Sequence, residues 1–162
     1  MFKLNLRLGS QIVMKAVLIW SSPFPERTIA VAMRRCYSTK PIEEIEAELE
    51  QKGPEYWKFL LTKALQDKSL DVLEHFTMTL LIEEIEEAEV SRLVLGHPYL
   101  RALRLKGEDW LLSLNARSLV ELWNDAAIRP LSEAVVSELD ARGVSPLFNA
   151  LAFGERERVR AS

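Results

Sequence analysis

The sequence has one cysteine, two histidines and six glycines in 162 residues, and each scarcity closes a class of function. A single cysteine, Cys36, cannot form a disulfide within the chain, so the expected compartment is the reducing cytoplasm. One cysteine and two histidines, His75 and His97, are a poor basis for a Cys/His zinc cluster. The glycines stand singly. No GxxxxGK or GxGxxG run is present to cradle a phosphate, and no GxSxG turn to present a nucleophilic serine. No apolar run approaches the roughly 20 residues that cross a bilayer. The start, MFKLNLRLGSQIVMKAVLIW, does not read as a signal peptide, because Lys15 interrupts its apolar stretch and no small-residue cleavage site follows. An excess of positive charge is missing too. The net charge is −3 and the basic residues are scattered, apart from ERERVR near the end, so nucleic acid is not an expected partner. Amides are few, with four Asn and three Gln, while Glu and Arg abound. That balance is found in thermophile proteins.

What is present fits one globular domain: 48% hydrophobic and 28% charged residues, at a length that can bury a core. The expected organisation is a domain over residues 14–154 and a charged tail at 155–162. Residues 1–13 are an N-terminal extension or an edge strand through LNLRL, and Met14 offers a second start. Residues 13–20 read as a buried strand. Pro25 then opens a helix with Ile29, Met33 and Cys36 on one face, which places Cys36 in the core. A second helix near Pro41 carries Ile42, Ile45 and Leu49. A third carries Trp57, Leu60, Leu61, Ala64 and Leu65. FTMTLLI, residues 76–82, alternates as a half-buried strand. An acidic helix over residues 85–95 ends at Gly96-His97-Pro98. LRALRL, a KGED turn and WLLSLN read as a β-hairpin. Helices follow at 116–127, 130–142 and 146–153. The fold class is α+β, an antiparallel sheet flanked by helices.

Few polar residues stand out against this background. The glutamate pairs at 43–44, 83–84 and 86–87 read as solvated faces. His75 follows Glu74 just before a strand, where it packs locally or faces a cleft. His97, at a helix end, suits the helix dipole. The strongest signal is LLSLNARSLVELW, where strand alternation gives way to helical periodicity at Asn115 and Arg117. Asn115 can cap the new helix. A guanidinium in a first turn opposes the helix dipole, so a partner must hold Arg117 there. A carboxylate would do so, as would a ligand phosphate or flavin edge. Both readings stand.

Three blocks in order resemble the flavin-dependent thymidylate synthases, which methylate dUMP with FAD, NADPH and a folate carbon donor. PERTIAVAMRRCYS, residues 25–38, is similar to the family's first helix. LEHFTMTLLIE, residues 73–83, is similar to its EH followed by an F-T-F strand. SLNARSLVEL, residues 113–122, is similar to its strand–NARSL–helix junction. The resemblance implies the family's fold and a flavin site that includes His75, Asn115 and Arg117. It puts Cys36 beside the cofactor, and His97 at the one histidine retained from the family's RHRxxSxNExSxRY signature. It implies assembly as a homo-oligomer, tetramer or dimer, with active sites at subunit junctions.

The sequence also departs from that family. Gly96 and Pro98 stand where the signature carries arginines, the rest of the signature is absent, and only residues 99–114 separate it from the junction strand. The family's dUMP-binding arginine aligns with Ala126, and Arg129 lies three residues out of register. Each missing charge-assisted contact costs about 1.5–3 kcal/mol of binding. The expectation is a divergent homologue that does not methylate dUMP on its own. It would serve as a scaffold or as a partner subunit of a full-length homologue, with a residual flavin or nucleotide pocket. The alternative is an active enzyme of this type, using FAD and dUMP, completed by a partner subunit. A purely structural role for Asn115 and Arg117 is the third reading.

Overall fold

The computed structural model describes residues 14–154; the expectations for residues 1–13 and 155–162 lie outside that range. The elements run β1 (Lys15–Ser21), α1 (Pro25–Cys36), α2 (Ile42–Lys52), α3 (Pro54–Gln66), a 3-10 helix (Leu70–His75), β2 (Thr77–Glu83), α4 (Glu87–Gly96), β3 (Arg101–Arg104), β4 (Trp110–Asn115), α5 (Ala116–Asn124), α6 (Arg129–Ala141) and α7 (Pro146–Phe153). This is the expected α+β arrangement. The four strands form one antiparallel sheet in the order β1-β2-β4-β3.

Local chemistry sets several boundaries. Phe24 takes a left-handed conformation before Pro25 at the start of α1. Proline fixes the first helical φ and has no N–H to leave unpaired. Gly53, at φ 72°, closes α2 and opens α3 in one residue, a conformation that a side chain would strain. The Leu49 carbonyl there accepts from Gly53 N and from Trp57 Nε1 at 3.0 Å. Glu26 ties the chain over a long separation: its Oε1 accepts from Leu147 N at 2.7 Å and Phe148 N at 3.1 Å. A carboxylate thus satisfies the first amides of α7, where the helix dipole favours negative charge.

The helices cover one face of the sheet. Ala16 in β1, Met78, Leu80 and Ile82 in β2, and Leu112 and Leu114 in β4 belong to the single core cluster, and the partly buried Leu18 of β1 packs against it. Behind them Phe76, Phe148 and Phe153 form edge-to-face pairs at 6.0 and 5.8 Å. The residues between these point the other way. Val17, Thr79, Leu81, Leu111 and Ser113 are half-buried, and Trp20, Thr77, Arg101 and Leu103 are exposed.

Two expectations change. β1 is not a fully buried strand. It lies at the sheet edge with Ile19 and Trp20 exposed at 58% and 52%, because helices cover only one of its faces. Its outer margin is protected by Glu138 of α6, whose Oε1 accepts from Leu18 N at 2.9 Å. An edge amide tied to a side chain is unavailable for pairing with another chain. That bond, followed by Arg142, holds the Glu138 carboxyl below its usual range. Second, Cys36 is exposed rather than in the core, since it lies in the last turn of α1, beyond the buried Ile29, Ala30 and Met33.

Candidate functional site

β4 runs directly into α5, and the junction places Asn115 and Arg117. Asn115 is the helix cap: its Oδ1 accepts from Ser118 N at 2.9 Å, and the residue is buried. Arg117 lies in the first turn and is gripped by two carboxylates. Nη1 donates to Glu74 Oε1 at 2.7 Å and Nε to Glu121 Oε1 at 3.1 Å. Its guanidinium also sits 5.3 Å from the centre of the Tyr99 ring. The Glu74 and then the Glu121 hydrogen bonds raise the Arg117 pKa further above its ordinary value. This is the carboxylate solution to an arginine placed against the helix dipole.

His97 joins the same cluster from the end of α4, with Nδ1 3.5 Å from Glu121 Oε2. No hydrogen bond forms at that separation, and Nδ1 is buried without a hydrogen-bond partner. Glu121 therefore lies between Arg117 and His97. His75 is exposed at the end of the 3-10 helix, one residue from Glu74. Cys36 is exposed at the end of α1. Of the five residues singled out, Arg117 and His97 share a carboxylate, and Asn115 stands at the same junction. No hydrogen bond or ion pair among the described residues ties the His75 or Cys36 side chain to them.

Of the residues that the resemblance would assign to a flavin pyrophosphate, Arg117 is paired with two carboxylates, and Gly96 and Pro98 carry no charge. Arg129, three residues out of register with the dUMP position, has no carboxylate partner among the described residues, and its buried Nε makes no hydrogen bond there. α5 stops at Asn124, three residues short of the expected end, and the chain turns through residues 125–128. Arg129 then lies over the Trp123 ring at 4.7 Å.

A different site stands on the open face of the sheet. Trp20, Thr77, Met78, Thr79, Tyr99, Arg101, Ser113, Leu114 and Asn115 line a depression of about 360 Å³. A break in β1 is responsible for part of it. Ala16 pairs with Ile82 and Leu18 with Leu80, so even-numbered residues of β1 face the core. The register then shifts at Ile19, and Trp20 pairs with Thr79. The bulge carries Trp20 to the open face, where an unbroken strand would not have placed it. Thr79 Oγ1 and Ser113 Oγ lie 2.9 Å apart across β2 and β4. The periodicity of β1 and β3 hid this site: Trp20 reads as strand core and Arg101 as one of many surface arginines.

Among the described residues no group of three or more His, Cys, Asp or Glu side chains is placed to hold a metal ion. None of their helices is long and apolar enough to cross a membrane. Comparison of the chain with protein-family models, with curated proteins and with solved structures returned no match.

Proposed function

We propose that the chain is a divergent homologue of the flavin-dependent thymidylate synthases that keeps their scaffold and does not methylate dUMP on its own. It acts as a subunit of an assembly, with copies of itself or with a full-length homologue. The observation that carries this reading is the double carboxylate grip on Arg117, 2.7 Å from Glu74 and 3.1 Å from Glu121. A phosphate or flavin edge at this guanidinium would come to rest beside two carboxylates that already offset its charge, which is costly. The assembly role is supported by the apolar row on the open face. Val17, Leu81, Leu111 and Leu103 are register neighbours across all four strands, and Leu103 is 62% exposed. A continuous apolar row on a sheet face suits a partner surface.

The test is a titration of the purified chain with FAD, followed by flavin fluorescence with and without dUMP, alongside light scattering after size exclusion. The reading expects no saturable FAD binding and a particle larger than one chain, alone or with a full-length homologue. Micromolar FAD binding abolished by Arg117→Ala would overturn it. The second reading, an FAD- and dUMP-using enzyme completed by a partner subunit, has one observation in its favour: the depression beside Asn115 is open to solvent and so is not completed by this chain alone. Flavin binding that appears only after mixing with the homologue would select that reading.

A further inference from the structure

One register row of the open face is built differently from its neighbour. Trp20 pairs with Thr79, Thr79 with Ser113, and Ser113 with Arg101. The row crosses the whole sheet, with an aromatic ring on one edge strand, two hydrogen-bonded hydroxyls in the middle and a guanidinium on the other edge strand. At the spacing of neighbouring strands the two ends are roughly 14 Å apart along the backbone, and both side chains rise from the same face of the sheet. Tyr99 stands by the guanidinium end, 42% exposed.

Arg101 differs from Arg117 in how it is held. Its Nη1 donates to the carbonyls of Pro98 at 2.6 Å and Leu100 at 3.2 Å. Those neutral acceptors orient the guanidinium without cancelling its charge, and no carboxylate pairs with it among the described residues. An oriented, uncompensated guanidinium is the group best suited to take a phosphate or carboxylate in a forked contact. Trp20 offers a ring face that a planar ligand can cover. Between them the Thr79 and Ser113 hydroxyls can exchange their mutual bond for bonds to a ligand. Asn115 adds its Nδ2, which has no partner among the described residues while its Oδ1 caps α5.

We infer that this row is a binding site for a small ligand in which a planar ring is joined to an anionic group. The ring lies on Trp20, the anion on Arg101, and polar groups of the linker on Thr79 and Ser113. The depression has a volume of about 360 Å³ and is open to solvent, so a ligand there would keep one side exposed and be held through its two ends. The site borders the Arg117 cluster, sharing Tyr99 and Asn115 with it, but does not depend on a flavin being bound there. A mononucleotide and an aromatic carboxylate share the required chemistry, and the two are told apart by the probes below.

The experiment is isothermal titration calorimetry of the full chain with AMP and with indole-3-acetate. Adenosine serves as the ring without the anion and ribose 5-phosphate as the anion without the ring. Saturable binding of AMP or of indole-3-acetate is expected, and the tighter of the two identifies the source. Adenosine and ribose 5-phosphate should each bind roughly ten- to a hundredfold more weakly than AMP if the nucleotide is the source. Arg101→Gln and Trp20→Ala, both at exposed positions, should each weaken the tighter probe by a similar factor while far-ultraviolet circular dichroism stays unchanged. The same titration on Leu111→Gln, a neutral change in the adjacent apolar row, keeps the site open if copies associate through that row. Loss of assembly in Leu111→Gln with unchanged probe binding separates this inference from the assembly proposal. No saturable heat with either probe, in both the wild-type chain and Leu111→Gln, would overturn the inference. So would binding that ignores both Arg101→Gln and Trp20→Ala.

Discussion

Leu111 and Leu112 are neighbours in β4 and point to opposite sides of the sheet. Leu112 is 1% exposed within the helical core, whereas Leu111 is half-buried in an apolar row that no core element completes. The same alternation separates Leu80 from Leu81 in β2. One face is closed by helices and repeats a single chemistry, aliphatic and aromatic. The other is divided between an apolar row and a row of ring, hydroxyls and guanidinium. A face whose task ends with folding can be uniform. A mixed face that remains in contact with water has residues available for a partner or a ligand. The two arginines repeat the contrast. Arg117 is neutralised by Glu74 and Glu121, while Arg101 is oriented by carbonyls alone.

The sharpest break between the faces should come from the paired substitutions Leu112→Ala and Leu111→Ala. The first empties part of a close-packed core and should cost about 2–5 kcal/mol. The second should cost under about 1 kcal/mol, because little buried volume is lost. Urea denaturation of both variants measures the difference, and equal costs would mean that the open face is covered, within the chain or by a partner.

Asn115→Ala should come next, at about 1 kcal/mol, from loss of the cap on Ser118 N. The thermal midpoint checks it. A larger loss would point to a further role for the Asn115 amide inside the chain.

Arg117→Met should lower stability by less still, since its partners are roughly one-third exposed and such pairs contribute little. Probe binding at the Trp20–Arg101 row should hardly change. A fall in probe affinity as large as that of Arg101→Gln would merge the two arginines into one site.

The smallest effect lies far from the sheet, in the helical layer. Glu48 is bound first by Lys52, then by Arg34 and Lys40, and its pKa is lowered to about 2 from the usual 4.5. A carboxyl with a depressed folded-state pKa contributes stability that is present above about pH 4.5 and is lost as pH falls towards about 2. Glu48→Gln should therefore flatten the thermal midpoint against pH in that window and leave the sheet face untouched. An unchanged acid profile would show that other carboxyls dominate acid unfolding.

Much of the architecture was legible from local pattern. The alternation of FTMTLLI and WLLSLN, the proline and glycine punctuation at Pro25, Gly53 and Pro146, and the turn between β3 and β4 each rest on neighbouring residues. Cys36 was misplaced because helical spacing assigns a residue to a face without saying where along the helix the packing ends. Trp20 was misplaced because one extra residue at Ile19 inverts strand parity, and only pairing with β2 reveals the inversion. Asn115 was legible as a cap because capping is local. The partner of Arg117 was open because Glu74 is 43 residues away.

The sequence by itself determined the α+β class, the order of the elements and the Asn115 cap, all of which follow from periodicity and turn chemistry within a few residues. Only the tertiary structure decided that Arg117 is neutralised and Arg101 is not, that one sheet face stays open, and that Trp20, Thr79, Ser113 and Arg101 stand in one row. Those facts depend on strand order, register and a bulge, and contacts between distant residues leave no period in the chain that makes them.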